Sequence, residues 1–268
     1  MHLLGFIGVG SMGGALARAA CVCTDPGQII LSNRSPEKAE ALARELGCDA
    51  GAPDEAARAR YILLGVKPKD MAGCLNALRP VLEGRDDRFV LVSMAAGLDT
   101  AAIQSLAGAA YPVVRLCPNT PAAIGRGLVA WCARDASPDE TAALCAAMAG
   151  AGLWDECPEA LMDTASVLGG CTPAFAYMFI EALSDGAVRC GLGRDTALRW
   201  AAAAVEGAAA LCAKGLGEGK HPGALKDAVC SPGGSTIEGV LSLERGGFRG
   251  AASDAVIAAW EKTRRMGK

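Results

Sequence analysis

The chain has 268 residues, a formal net charge of −3, 51% hydrophobic residues and 21% charged residues. That much apolar material builds a packed core and excludes wholesale disorder, and at ~150 residues per domain the length points to two domains. The acidic balance excludes a nucleic-acid binder that relies on a general basic surface.

The first half alternates short apolar runs with helical patterns. Leu3 to Val9 reads as a buried strand and Ala15 to Ala20 as the helix after it. Gln28 to Ser32 reads as a second strand, followed by a helix from Pro36 to Leu46 with Ser35 as its N-cap. Tyr61 to Val66, Phe89 to Ser93, Tyr111 to Leu116 and Leu128 to Cys132 continue the series. Continuous apolar runs between helices are strands buried on both faces, hence an α/β fold with a mostly parallel sheet. From about Ala160 the pattern changes to Ala-rich helices: Leu161 to Cys190, Arg194 to Lys214, Pro222 to Val229, Ser235 to Glu244 and Arg249 to Met266. The boundary falls between Asp155 and Glu159, giving domains 1–157 and 158–268. Aromatic residues make up only 4%, so the core is expected to rest on small, closely packed side chains.

Several function classes have little material. Met1 to Gly5 lacks the charged region of a secretory signal. Ala197 to Ala213 is the best membrane candidate, but Arg199 and Glu206 interrupt it, and it reads as a buried or interface helix. The 12 cysteines form no CxxC pair, and only 2 histidines are present. No metal site and no Ser-His-Asp triad is expected, and the cysteines read as small apolar residues in a reducing cytoplasm.

The sharpest motif is Gly8-Val9-Gly10-Ser11-Met12-Gly13, delivered by Ile7 at the end of the first strand. In a strand-turn-helix context, Gly8 allows the tight turn and Gly10 lets a pyrophosphate approach the backbone. Gly13 lets the helix pack on the strand, and the helix N-terminus favours the phosphate charge. This is the dinucleotide cradle of a Rossmann domain. An NAD-binding chain carries a carboxylate at the end of the second strand, whereas here Asn33, Arg34 and Ser35 follow Ser32. Arg34 can pair with a 2′-phosphate, so NADPH is the expected cofactor and NADH the weaker one. Val66-Lys67-Pro68 and Ala95-Ala96-Gly97 follow two further strands, at the edge where open α/β sheets bind ligands.

Further segments resemble the pyrroline-5-carboxylate reductase family. Arg115-Leu116-Cys117-Pro118-Asn119-Thr120-Pro121 is similar to that family's R-x-M-P-N-T-P segment. Phe179 to Asp195 resembles its dimer helix region, and Leu225 to Ile237 its L-K-D-x-V-T-S-P-G-G-T-T signature. With the Gly loop and Val66-Lys67-Pro68, the resemblance runs in order along nearly the whole chain. It implies a Rossmann domain followed by an all-helical dimerisation domain, in a homodimer or a larger ring of dimers. The implied reaction is hydride transfer from NADPH to the imine carbon of 1-pyrroline-5-carboxylate, giving L-proline. It further implies that Ser231, Gly233, Gly234, Ser235 and Thr236 hold the substrate, with Thr236 orienting the ring nitrogen. Asn119 and Ala96 would position the nicotinamide, and Glu159 would lie near the ring. The helix start after Pro232-Gly233-Gly234 supports a carboxylate site independently, because its N–H groups lack partners.

Two segments depart from the family. Gly169-Gly170-Cys171-Thr172-Pro173-Ala174-Phe175 stands where the family has S-G-S-G-P-A-Y, and Cys230 replaces a Thr. Two other readings therefore stand beside the first. One is an imine or β-hydroxyacid-type reductase for another small substrate, with Lys214, Lys220 or Lys226 as its lysine. The other is a nucleotide-binding paralogue without catalysis. No nucleic acid or membrane partner is expected, and a cytoplasmic location is.

Overall fold

A computed structural model describes residues 1–266. Gly267 and Lys268, at the end of the second domain read from the sequence, lie outside the described residues. The chain divides into two compact units, one of residues 1–171 with the stretch from Ala259 onward and one of residues 172–258.

The first unit carries an eight-stranded sheet in the order β3-β2-β1-β4-β5-β6-β7-β8. The strands are β1 (Leu4–Ile7), β2 (Ile29–Ser32), β3 (Asp49–Ala50), β4 (Tyr61–Leu64), β5 (Val90–Ser93), β6 (Val113–Pro118), β7 (Gly127–Arg134) and β8 (Gly152–Glu156). All neighbours pair parallel except β6 with β7. β1, β2, β4 and β5 are buried at every residue, which explains their unbroken apolar sequences.

Helices cover both faces. Leu4, Phe6, Leu31, Leu63 and Val92 pack with Leu16 of α1 (Ser11–Cys23), Leu42 of α2 (Pro36–Leu46) and Leu144 of α6 (Pro138–Ala147). Ile7, Ile62, Leu64 and Leu91 face the other way. They meet Met71 and Leu75 of α4 (Pro68–Glu83) and Ile103 of α5 (Thr100–Ala107). A short α3 (Pro53–Ala56) lies between β3 and β4. Gly5 shows how closely backbones approach: a Cβ there would stand 2.0 Å from the Ala56 carbonyl oxygen.

The sheet is pinned at its amino-terminal edge. Glu140 of α6, 7% exposed, accepts from Arg60 and from Arg88, and its backbone carbonyl accepts the Tyr61 hydroxyl. Glu140 also closes a capping box with Ser137.

The second unit is helical. α7 (Met162–Arg189) enters it, followed by α8 (Arg194–Gly217), α9 (Pro222–Ala228), α10 (Ser235–Arg245) and α11 (Phe248–Met266). The buried residues between Thr172 and Ala258 are Ser184, Ala197, Ala201 and Gly215. Large apolar side chains stand in solvent instead: Met178 is 70% exposed and Trp200 63%. Helices with so little core depend on further apolar contacts for their stability. The stretch long and apolar enough to cross a membrane, among the described residues, is Glu159–Arg189 and not Ala197 to Ala213.

Candidate active site

The parallel register lines up the carboxyl ends of the strands. Ile7 pairs with Ser32 on one side and with Leu64 on the other, Leu64 pairs with Ser93, and Ser93 with Arg115. The loops that follow, at 8–13, 33–35, 65–68 and 94–97, therefore leave the sheet at one edge. At ~4.8 Å per strand, four neighbouring strands span about 15 Å, the scale of an extended dinucleotide. Between β1 and β4 the chain order reverses, the switch point where such sheets open a crevice.

The Gly loop is built for close approach. Gly8 has φ +100, and its carbonyl oxygen would lie 2.1 Å from a Cβ on Gly13 and 2.1 Å from one on Gly65. Gly10 is the opposite: no protein atom lies within 4 Å of its Cβ position. Gly10 and Ser11 are exposed and Met12 is half-buried. Among the described residues no side chain caps the Gly10 end of α1, so the first N–H groups of the helix face the open side without partners. A turn with this room at Gly10, beside an uncapped helix N-terminus, fits a pyrophosphate.

Asn33 supports this turn. Its Oδ1 accepts from the Val9 N–H at 3.2 Å, and its Nδ2 donates to the Ser35 carbonyl at 3.3 Å. Arg34 beside it is exposed and free of ion pairs among the described residues. Ser35 stands at the N-cap position of α2, but its hydroxyl makes no capping bond there. Val66 is half-buried, while Lys67 and Pro68 are exposed at the start of α4. Ala95 is buried, and its N–H donates to Ser93 Oγ at 3.3 Å. Ala96 and Gly97 are exposed, and the Cβ position of Gly97 meets nothing within 4 Å.

Two residues expected at the ligand are engaged elsewhere. The Asn119 amide donates to the Gly169 carbonyl at 3.0 Å and accepts from the Leu128 N–H at 2.9 Å. With 9% exposure, this side chain ties the start of β7 to α7. Glu159 accepts from the Thr100 N–H at 2.7 Å and from the Thr100 hydroxyl at 2.8 Å. Both carboxylate oxygens thus serve the N-terminus of α5, which needs acceptors there.

Residues not anticipated from the sequence matter too. Gly65 directly follows β4, and only a glycine can stand against the Gly8 carbonyl; the signal was a glycine before Val66-Lys67-Pro68. Arg115 is 4% exposed, pairs with Asp163 at 3.2 Å and so anchors the first turn of α7 to β6. Near it, burial pushes the Cys117 thiol up and Cys132 to about 12, leaving both protonated and inert at neutral pH.

In the helical unit, Ser231 and the turn after it stand in solvent. Gly233 adopts φ +65, which favours glycine, and the Gly234 N–H donates to the Ser231 carbonyl at 3.0 Å. Among the described residues no side chain caps Gly234, the N-cap of α10. Ser235 and Thr236 are exposed in that first turn, so unpartnered N–H groups and a hydroxyl point outward together. The described residues hold no group of three or more His, Cys, Asp and Glu placed to bind a metal ion.

Known proteins agree with this arrangement. Residues 159–266 match the family profile for pyrroline-5-carboxylate reductase dimerisation, and residues 3–97 match that for NADP oxidoreductase, coenzyme F420-dependent. The chain is 40% identical to pyrroline-5-carboxylate reductase of Treponema pallidum, over 96% of this chain and 98% of that protein. It is 37% identical to that of Pisum sativum, over 99% and 96%. The crystal structure of the Plasmodium falciparum enzyme with NADP bound superposes with a TM-score of 0.83 at 29% identity, covering 99% of this chain and 98% of that one. The Coxiella burnetii enzyme gives 0.90 at 27%, covering 100% and 99%. From its Gly loop to its last helix, the chain belongs to the pyrroline-5-carboxylate reductase family.

Proposed function

We propose that this chain catalyses the NADPH-dependent reduction of 1-pyrroline-5-carboxylate to L-proline. The observation that carries the reading is the exposed, uncapped start of α10 bearing Thr236, in a chain whose β1–α1 turn has the form of a dinucleotide cradle. Bound NADPH supplies the hydride for the imine carbon. The N–H groups of Ser11, Met12 and Gly13 bind its pyrophosphate, beside Gly10. Arg34 pairs with the 2′-phosphate, and Asn33 and Ser35 shape that turn. Gly8 and Ile7 hold the cradle on the sheet. Val66, Lys67 and Pro68 line the cofactor's middle, and Ala95, Ala96 and Gly97 offer a flat wall with room for a ring.

The substrate carboxylate binds the N–H groups that open α10, with Ser231, Gly233, Gly234 and Ser235 forming the turn. The Thr236 hydroxyl hydrogen-bonds the ring nitrogen and fixes which face of the imine is presented. A protonated imine is already electrophilic at carbon, so the chain needs no strong general acid. Orientation is its main contribution.

The same reading gives the assembly. The domains divide at 157/158, and α7 to α11 complete their core against a second copy, which explains the exposed Tyr177, Met178 and Trp200. A homodimer is the basic unit, and a ring of dimers is its larger form. Free cysteines throughout fit a reducing cytoplasm.

The test is NADPH oxidation followed at 340 nm with pyrroline-5-carboxylate, with proline identified as product and NADH run in parallel. Rapid turnover with NADPH is expected. Tight NADPH binding without oxidation would sink this assignment and favour the non-catalytic alternative.

A further inference from the structure

We propose that Cys21 and Cys48 form an oxidation site, which a peroxide converts into a disulfide stapling α1 to the turn after α2. Their Sγ atoms lie 3.4 Å apart, and both side chains are half-buried, within reach of a small oxidant. A disulfide spans ~2.05 Å, so closure needs the sulfurs to approach by about 1.4 Å, within the reach of side-chain rotation.

Both thiols stand on firm supports. Cys21 lies in the last turns of α1. Gly47 ends α2 in a left-handed turn, and the Cys48 N–H donates to the Ala43 carbonyl at 3.0 Å. One helical turn earlier on each side, Arg18 and Glu45 form a two-pronged ion pair across the same two helices. The helix ends are thus already latched, and oxidation adds a bond to a contact that exists. Cys23 is exposed and two residues beyond Cys21, a spacing that does not share a helix face.

Burial, and the Cys21 thiol beside it, push Cys48 up to about 12, so Cys48 keeps its proton until it attacks as the resolving thiol. Cys21 Sγ attacks one peroxide oxygen and gives up its proton. The O–O bond breaks, Cys21 becomes a sulfenic acid, and the second oxygen leaves as water after taking a proton. The Cys48 sulfur then attacks Cys21 Sγ. The S–O bond breaks, and the hydroxide leaves as water with the proton of Cys48. Two thiols have lost two electrons, and the peroxide has been reduced to two waters. About 15 Å of helix separates Cys21 from Ser11 at the cofactor turn, so the staple stiffens the domain without touching that turn.

The experiment treats the intact protein with hydrogen peroxide, alkylates the remaining thiols and maps the unreduced digest by mass spectrometry. A Cys21–Cys48 linked peptide is expected, lighter by two hydrogens than the two thiol peptides together. The melting temperature should rise by several degrees and fall back with dithiothreitol, with NADPH affinity unchanged. C48S should lose the rise and yield Cys21 as sulfenic or sulfinic acid. The proposal is overturned if the wild-type digest shows Cys21 and Cys48 alkylated, separately over-oxidised or linked to other cysteines. That map needs no variant to fold.

Discussion

A Cβ on Gly13 would stand 2.1 Å from the carbonyl oxygen of Gly8, while one on Gly10 would meet no protein atom within 4 Å. The two glycines of one motif therefore serve different ends, and alanine separates them. Gly13→Ala forces α1 off β1 and should lower the melting temperature clearly, since overpacking costs about 1–3 kcal/mol. Gly10→Ala should fold and melt like the wild type yet bind NADPH at least tenfold more weakly, because the methyl fills the pyrophosphate's place. Calorimetric titration beside thermal melts reads both. Equal NADPH affinity in Gly10→Ala and the wild type would remove the cradle from the account.

Among the described residues Arg34 is exposed and makes no ion pair, so its charge is available to a ligand. An Arg–phosphate pair is worth about 1.5–3 kcal/mol, which is roughly ten- to hundredfold in affinity. Arg34→Ala should raise the KM for NADPH by that factor and leave the KM for NADH nearly unchanged. If both cofactors weaken equally, Arg34 supports the loop and does not select the phosphate.

Much of the scaffold was legible because local chemistry decides it. Helix α2 appears from Pro36 to Leu46 as the proline start and Gly47 stop dictate. The buried parallel strands announce themselves as apolar runs. β3 and β8 were not legible: β3 has two exposed residues, and β8 is an edge strand reading Gly-Leu-Trp-Asp-Glu. α1 begins at Ser11, earlier than its apolar pattern, because Gly13 and Gly14 hide its start, and the close approach of the Gly8 carbonyl demands a glycine at Gly13. In the site, the backbone-binding turns were readable from glycine spacing. The engagements of Asn119 and Glu159 were not, since their partners Gly169 and Thr100 lie 50 and 59 residues away.

Thr236 is exposed and sits one residue into α10, where neither packing nor capping requires a hydroxyl. Thr236→Ala should leave the stability, read by thermal melts, within about 0.5 kcal/mol of the wild type, as surface substitutions do. It should raise the KM for pyrroline-5-carboxylate and lower kcat, with kcat/KM down about tenfold to a hundredfold for one lost oriented hydrogen bond. Thr236→Ser should restore most of that loss. Unchanged kinetics in Thr236→Ala would withdraw the hydroxyl from the reaction.

The Arg60–Glu140–Arg88 cluster gives the fold an acid limit. The Arg88 guanidinium and the Ser137 N–H lower the Glu140 carboxyl to about 2 from its ordinary 4.5, against the opposing effect of burial. A carboxyl that binds its proton less readily when folded adds stability above its unfolded value and loses it as the pH falls towards its folded value. The full shift corresponds to about 3 kcal/mol. Because Arg88 is 53% exposed, solvent screening brings the net effect to about 1–2 kcal/mol. Glu140→Gln should therefore melt several degrees below the wild type at neutral pH. The gap should hold down to about pH 5 and lose more than half its size by about pH 3. A gap that stays constant from neutral pH to pH 3 would show that Glu140 acts by packing and its capping bond alone, with no contribution from its charge.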